Sequence, residues 1–130
     1  LIKTIFYYWR KPAFAVIDAS LLLSYFFKSP YRIAREHNDQ EPYGETPLVT
    51  LDAIIKHCPI SNVDTVYELG SGRGRACFWL SVYKGYNTVG VEYIPAFVAK
   101  AQKLAAFFGV KNVQFRTGDI LKSTFEDATW

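Results

Sequence analysis

Cysteine is scarce in this chain: 130 residues contain only Cys58 and Cys77. Two isolated thiols, outside any CxxC or Cys/His cluster, offer neither a disulfide framework nor a zinc site, and no metal is expected. The pattern fits a reducing compartment, and the expected location is cytoplasmic. A strong charge bias is also missing, since 15 basic and 12 acidic residues leave a formal net charge of +3. Such a balance leaves room for an acidic partner or an anionic membrane surface without requiring one, and nucleic acid is not indicated. Internal repeats and low-complexity tracts are absent. No apolar run is long enough to span a bilayer: AFAVIDASLLLSYFF at 13–27 is fifteen residues, against the ~20 that a spanning helix needs. Asp18 interrupts that run near its middle, where a carboxylate is costly in lipid, and no small-residue cleavage site follows. A buried or interfacial helix is the reading. Because the stretch is apolar all round, peripheral membrane contact through 13–27 is its alternative.

What is present is material for a core. Half of the residues are hydrophobic and 17% aromatic, which excludes disorder. The length suits one domain burying about two-thirds of its unfolded surface. Residues 1–41 read as a helical segment, with Pro12 tolerable in a first turn, a break at Ser29-Pro30 and a short amphipathic helix over 31–37. The polar stretch 38–43 reads as a linker. A helix is predicted over 48–57, ended by Cys58-Pro59. From Val63 the pattern becomes strand–helix alternation: strands at 63–69, 87–92 and 113–117, and helices at 75–84 and 96–108. Gly109 is expected to stop the second of these helices. Such alternation implies βαβ units, hence an α/β, doubly wound, Rossmann-like parallel sheet over 42–130, of which three strands are visible.

The chemistry concentrates at the strand ends. Glu68-Leu69-Gly70-Ser71-Gly72-Arg73-Gly74 forms a strand-to-helix turn bare enough for a ligand to lie against its backbone. Its spacing is G-x-G-x-G, and a dinucleotide fingerprint would need glycine where Arg75 stands. Glu68 would repel a pyrophosphate but suits the ammonium group of an amino-acid-like ligand. S-adenosylmethionine carries such a group and no phosphate, so charge favours this sulfonium cofactor over NAD. Glu92 ends the second strand 22 residues after Gly70, where an acidic residue binds a ribose diol. Just past the third strand, Asp119 is placed to accept from an adenine amino group, with Ile120 and Tyr93 or Ile94 forming the slot for the ring. The plainer alternatives are strand-end charges at Glu68 and Glu92, a helix cap at Asp119 and simple turn glycines at Gly70 and Gly74.

In order and spacing these motifs resemble those of the class I, seven-strand S-adenosylmethionine-dependent methyltransferases, over roughly residues 42–127. The resemblance implies that Glu68, Gly70 and Gly72 meet the methionine end, Glu92 the ribose and Asp119 the adenine; Ser71, Gly74, Tyr93 and Ile120 are counted with them among the cofactor contacts. Tyr43-Gly44-Glu45-Thr46, about 24 residues before E-L-G-S-G, is similar to the cofactor-covering loop of the non-SET histone lysine methyltransferases, the disruptor-of-telomeric-silencing family. It makes Tyr43, Glu45 and Thr46 further cofactor contacts, although Thr46 equally suits a helix cap before Pro47. Arg73 and Arg75 depart from that family. Arg75 instead resembles the G-x-G-R of the mitochondrial lysine methyltransferases that modify the ATP synthase c-ring and the adenine nucleotide carrier, and is included among the cofactor contacts. Cations sit unfavourably at a helix N-terminus, so both arginines are expected either to anchor a carboxylate or to face solvent.

Methyl transfer from a sulfonium needs alignment of a nucleophile rather than a triad or a metal. The resemblance therefore implies a methyltransferase, with a protein lysine as the acceptor. A small-molecule or lipid methyltransferase and a non-catalytic cofactor-binding scaffold are the alternatives, and an NAD-linked oxidoreductase is disfavoured by Glu68 and Arg75. In this fold the acceptor pocket lies beyond a fourth strand. Ala128-Thr129-Trp130 falls where such a strand would start, so the acceptor motif is expected outside these residues, and no catalytic base is named.

Overall fold

The computed structural model describes residues 2–37 and 43–130; most of the linker predicted over 38–43 lies outside them. Three strands, β1 (Thr65–Leu69), β2 (Asn87–Glu92) and β3 (Val113–Thr117), form one parallel sheet in the order β1-β2-β3. Glu68 pairs with Gly90, and Glu92 with Thr117. The parallel crossovers are made by α5 (Arg75–Phe78), which continues as a π-helical turn over Trp79–Tyr83, and by α6 (Pro95–Phe107). Before the sheet come α1 (Ile2–Arg10), α2 (Pro12–Ser24), α3 (Pro30–His37) and α4 (Leu48–Ile55).

Local chemistry explains most of these limits. Pro12 opens α2 and Pro95 opens α6, at positions whose missing N–H has no intrahelical partner anyway. Ser29 Oγ accepts from the Arg32 amide at 3.2 Å and so starts α3. Gly109, at φ 64°, follows α6 as its stop. The first strand begins at Thr65 rather than Val63, because Asp64 is drawn into a turn by the Ser61 amide, which it accepts at 2.7 Å. The helix after the glycine turn is not uniform. Its second half widens to π geometry around Trp79, which stacks on Tyr83 at 5.4 Å and meets Tyr7 edge-on at 5.6 Å. Thr46 does not cap α4: Pro47 occupies that place, with no side-chain hydrogen bond.

The N-terminal helices are part of the sheet's own core. Phe14, Ile17 and Leu21 recur at helical spacing on one face of α2 and pack with Phe78, Trp79, Leu80 and Phe115. Asp18 lies on that same inward face. Its carboxylate takes a two-pronged ion pair from Arg75, Nε to Oδ1 at 2.8 Å and Nη2 to Oδ2 at 2.9 Å, and a hydrogen bond from the Tyr8 hydroxyl. The apolar run 13–27 thus owes its internal carboxylate to a partner 57 residues away. Among the described residues no helix is long and apolar enough to cross a membrane.

Two glycines let the layers approach. A Cβ on Gly74 would stand 2.6 Å from the Phe115 ring, and one on Gly90 would stand 2.8 Å from Ser71 Oγ and 2.9 Å from Cys77 Sγ. Neither position has space for a side chain. On the other side of β1, the Thr129 amide donates to the Thr65 carbonyl at 3.0 Å and the Tyr67 amide to the Trp130 carbonyl at 2.9 Å. Residues 129 and 130 therefore run along the free edge of β1.

Removing one member of the half-buried pair leaves the other charge uncompensated, at a cost of roughly 3 kcal/mol. Asp18→Ala should lower the urea midpoint accordingly with the m-value unchanged. The double variant Asp18→Ala/Arg75→Met should lose less than Asp18→Ala alone, because no orphaned cation remains.

Candidate functional site

The strand ends and the glycine turn enclose a cavity of about 150 Å³. It is lined by Glu68 to Gly72 of the turn, by Gly44, Glu45 and Thr46 of the loop before α4, and by Arg75 and Ala76 of α5. Gly70, Gly72 and Gly74 have φ of 76°, 53° and 90°, the left-handed region that side chains avoid. A Cβ at Gly70 would meet nothing within 4 Å, whereas one at Gly72 would stand 3.1 Å from the Tyr43 ring. The backbone at Gly70 faces the cavity; at Gly72 it is roofed by Tyr43.

Glu92 holds this turn in place. Its carboxylate is buried, 8% exposed, with Oε2 accepting from the Gly72 amide at 2.7 Å and Oε1 from the Ile94 amide at 3.0 Å. The Gly70 and Ser71 amides both donate to the Val91 carbonyl, at 2.8 and 3.1 Å. An ionised carboxylate has about four acceptor positions. The two amides leave capacity for a pair of hydroxyl donors.

Each arginine of the turn is claimed by a carboxylate. Arg73 forms a fork to Glu45, Nε to Oε1 at 2.6 Å and Nη2 to Oε2 at 2.8 Å, and the Tyr43 hydroxyl donates to the same Oε1 at 2.6 Å. Burial opposes ionisation of Glu45, but the hydrogen bonds from Arg73 and Tyr43 outweigh it and hold its carboxyl below the ordinary value. Burial, with the bond to Glu45, pushes the Tyr43 phenol well above its ordinary value. The 43–46 loop is pinned over the glycine turn by this triad. Arg75 lines the cavity but spends its guanidinium on Asp18.

With both cations neutralised, Glu68 sets the sign of the cavity. No side chain among the described residues hydrogen-bonds its carboxylate, and burial raises its pKa. Ser71 Oγ is buried and has no partner among the described residues, lying in the space that a Gly90 side chain would take. A partly buried carboxylate without a partner is costly unless a ligand satisfies it. The arrangement suits a ligand with a cationic amine at one end and a diol at the other; it repels phosphate.

A family profile described as a methyltransferase domain matches residues 60–129. The chain belongs to the methyltransferase-domain family. Among solved structures, the domain is 34% identical to an RNA methyltransferase from Salinibacter ruber in complex with S-adenosyl-L-homocysteine, with a TM-score of 0.60 over 66% of this chain and 57% of that one. The YcgJ protein from Bacillus subtilis is 26% identical at a TM-score of 0.53, over 61% of this chain and 33% of that one. YjhP from E. coli is 25% identical at 0.51, over 75% and 39%. The chain thus spans little more than half of the first of these structures and about a third of the second. Among curated proteins none matches significantly.

Of the residues read from the sequence, the structure brings Glu45, Thr46, Glu68, Gly70, Ser71, Gly72 and Arg75 to one cavity. Tyr43 and Glu92 adjoin it through Gly72. Gly74 faces the Phe115 ring instead and serves helix–sheet packing. Tyr93, Asp119 and Ile120 stand outside this cavity, past the ends of β2 and β3; Tyr93 and Ile120 are exposed. Asp119 Oδ1 accepts from the Leu121 amide at 2.9 Å, so it closes the turn that follows. Gly90 escaped the sequence reading, because only its partner across the packing layer shows why it lacks a side chain. Anchoring a carboxylate was one of two roles expected of each arginine, but Glu45 and Asp18 were not foreseen as the partners, though an unmatched carboxylate inside an apolar helix is itself a signal for a buried cation.

Arg73→Met should release the loop from the glycine turn. Limited proteolysis within the 43–46 loop should quicken by about tenfold or more, while the sheet resists cleavage. An unchanged cleavage rate would mean that the ion pair does not hold the loop.

Proposed function

We propose that this chain forms the cofactor side of an S-adenosylmethionine-dependent methyltransferase whose acceptor is a protein lysine. The carrying observation for the cofactor is the placement, at the ends of neighbouring strands, of a Glu68 with no partner among the described residues and a Glu92 that retains two acceptor positions. Glu68 and Ser71 suit the amino-acid end of such a cofactor, the bare backbone at Gly70 permits its close approach, and Glu92 suits a ribose diol. When bound, the cofactor supplies an electrophilic methyl group on a sulfonium. The chain's own residues orient it, exclude water with the Tyr43–Glu45–Arg73 roof, and withhold any anion that would compete with Glu68 for the amine. Asp119 and Ile120 are suited to the adenine end, since the turn engages Oδ1 of Asp119 and leaves Oδ2 to accept.

Support for the lysine acceptor is the Tyr43–Thr46 tetrapeptide lying over the cavity, in line with its resemblance to the non-SET lysine methyltransferases. A second reading has its own observation: the 34% identical structure is described as an RNA methyltransferase. Incubating the intact gene product with radiolabelled S-adenosylmethionine and, separately, protein and RNA fractions of a cell extract tests both. Label in acid-stable methyl-lysine supports the proposal, and label confined to RNA replaces it with the second reading.

Glu92→Ala should weaken S-adenosylhomocysteine binding by about 1.5–3 kcal/mol, the range for hydrogen bonds to a charged group, as read by calorimetry. Loss of its bond to Gly72 contributes to that figure. Glu68 yields a pH signature. Burial raises its pKa in the free protein, and an ammonium partner lowers it, so binding releases a proton wherever Glu68 is still protonated. Affinity should therefore fall on acidification while the pH is still above the ordinary carboxyl value of 4.5. Glu68→Gln should bind more weakly and lose this slope; a slope that persists in the variant assigns it to another group.

A further inference from the structure

We propose that the outer face of α1 is a docking surface for an anionic phospholipid bilayer, an inference independent of the methyltransferase reading. The helix has two apolar sides. Tyr7 is buried in the core, and Tyr8, half-buried, reaches Asp18 and Arg75. Ile2, Ile5, Phe6 and Trp9 recur at the spacing of a single helical stripe on the opposite side, and all four are exposed, Ile2 by 84% and Trp9 by 83%. A surface helix ordinarily presents polar residues there. A contiguous exposed stripe of this kind marks an interaction site.

Charge selects the occupant. Lys3, Arg10 and Lys11 accompany the stripe, and none of them meets a carboxylate among the described residues. The one acidic residue before Glu36 is Asp18, and it is turned inward to Arg75. The outward field of α1 is therefore positive, beside an apolar stripe that includes an indole. This is the composition of a helix lying in the lipid headgroup layer. Nine residues amount to about 13 Å of helix, suited to lying in the interface and far too short to cross it. A two-fold pairing of this face with a second copy would bring Lys3, Arg10 and Lys11 against their own equivalents. Nucleic acid would engage the cations and leave Ile2 and Ile5 without a role.

Flotation of the chain with vesicles of phosphatidylcholine, alone or mixed with phosphatidylglycerol, tests the proposal. The expected result is binding to the mixed vesicles only, weakened by salt. Ile5→Ser/Trp9→Ser and Lys3→Glu/Arg10→Glu should each weaken it by about tenfold or more. Both pairs are solvent-exposed, and an unchanged circular dichroism spectrum and melting curve exclude unfolding as the cause. Equal binding to neutral vesicles, no binding at all, or variants that bind as well as the parent would overturn the proposal. So would loss of binding in Phe26→Ser/Phe27→Ser alone, which would move the contact to the exposed end of α2. A dimer seen by light scattering without lipid, and dissolved by Ile5→Ser/Trp9→Ser, would instead make the face a contact between copies.

Discussion

The buried carboxylate of Glu92 is the constraint on which the site depends. It terminates β2, takes the Gly72 amide in one oxygen and the Ile94 amide in the other, and so ties the glycine turn after β1 to the turn that opens α6. Those backbone amides face inward and would be expensive to bury unpaired. Satisfying them with a side chain rather than with another strand keeps the carboxyl end of the sheet open. The turn can then expose Gly70 to a ligand while remaining anchored through Glu92 and the Val91 carbonyl.

Around that anchor, charges are matched in a way that isolates one carboxylate. Arg73 and Arg75 flank the turn, where a helix start disfavours cations. Each is tied off by an acidic residue from the N-terminal half of the chain: Glu45 for Arg73 and Asp18 for Arg75. These two ion pairs do structural work as well. One lowers the 43–46 loop over the turn, and the other fixes α2 against α5. Among the described residues, what remains without a partner is Glu68, which lines the cavity and whose pKa is raised by burial. The proposed preference for a cationic ligand rests on this subtraction rather than on any added positive or negative group.

The N-terminal helices are correspondingly more than an appendage. The inner face of α2 carries Phe14, Ile17 and Leu21 into the core shared with the π turn around Trp79. Their packing is tight enough that Trp79 Nε1 is buried without a partner, a cost that the stacking on Tyr83 and the edge of Tyr7 offset. The inward faces of α1 and α2 are thus accounted for by the fold, which is why the exposed stripe on the other side of α1 stands out.

Strand–helix alternation, the glycine turn and its flanking acids were legible in the sequence, because each rests on local chemistry: periodicity, backbone freedom at glycine and residues adjacent along one strand end. The second and third strands were read at their observed limits for the same reason. Partnerships between distant residues were not legible. Asp18 looked like an obstacle to membrane insertion until Arg75 stood beside it, and the arginines, expected to anchor a carboxylate or to face solvent, could not be matched to Glu45 and Asp18. The need for glycine at Gly90 shows only in the structure, where Ser71 and Cys77 occupy the space its side chain would need. Asp119, read as an adenine contact, is held by its own following turn, a choice between two acceptor roles that the residue type leaves open. By itself the sequence determined the α/β architecture, the bare backbone of the ligand turn and the acidic residues around it. Only the tertiary structure decided which of the charges are neutralised, because ion pairs form between residues far apart in the chain and depend on distances that spacing does not encode.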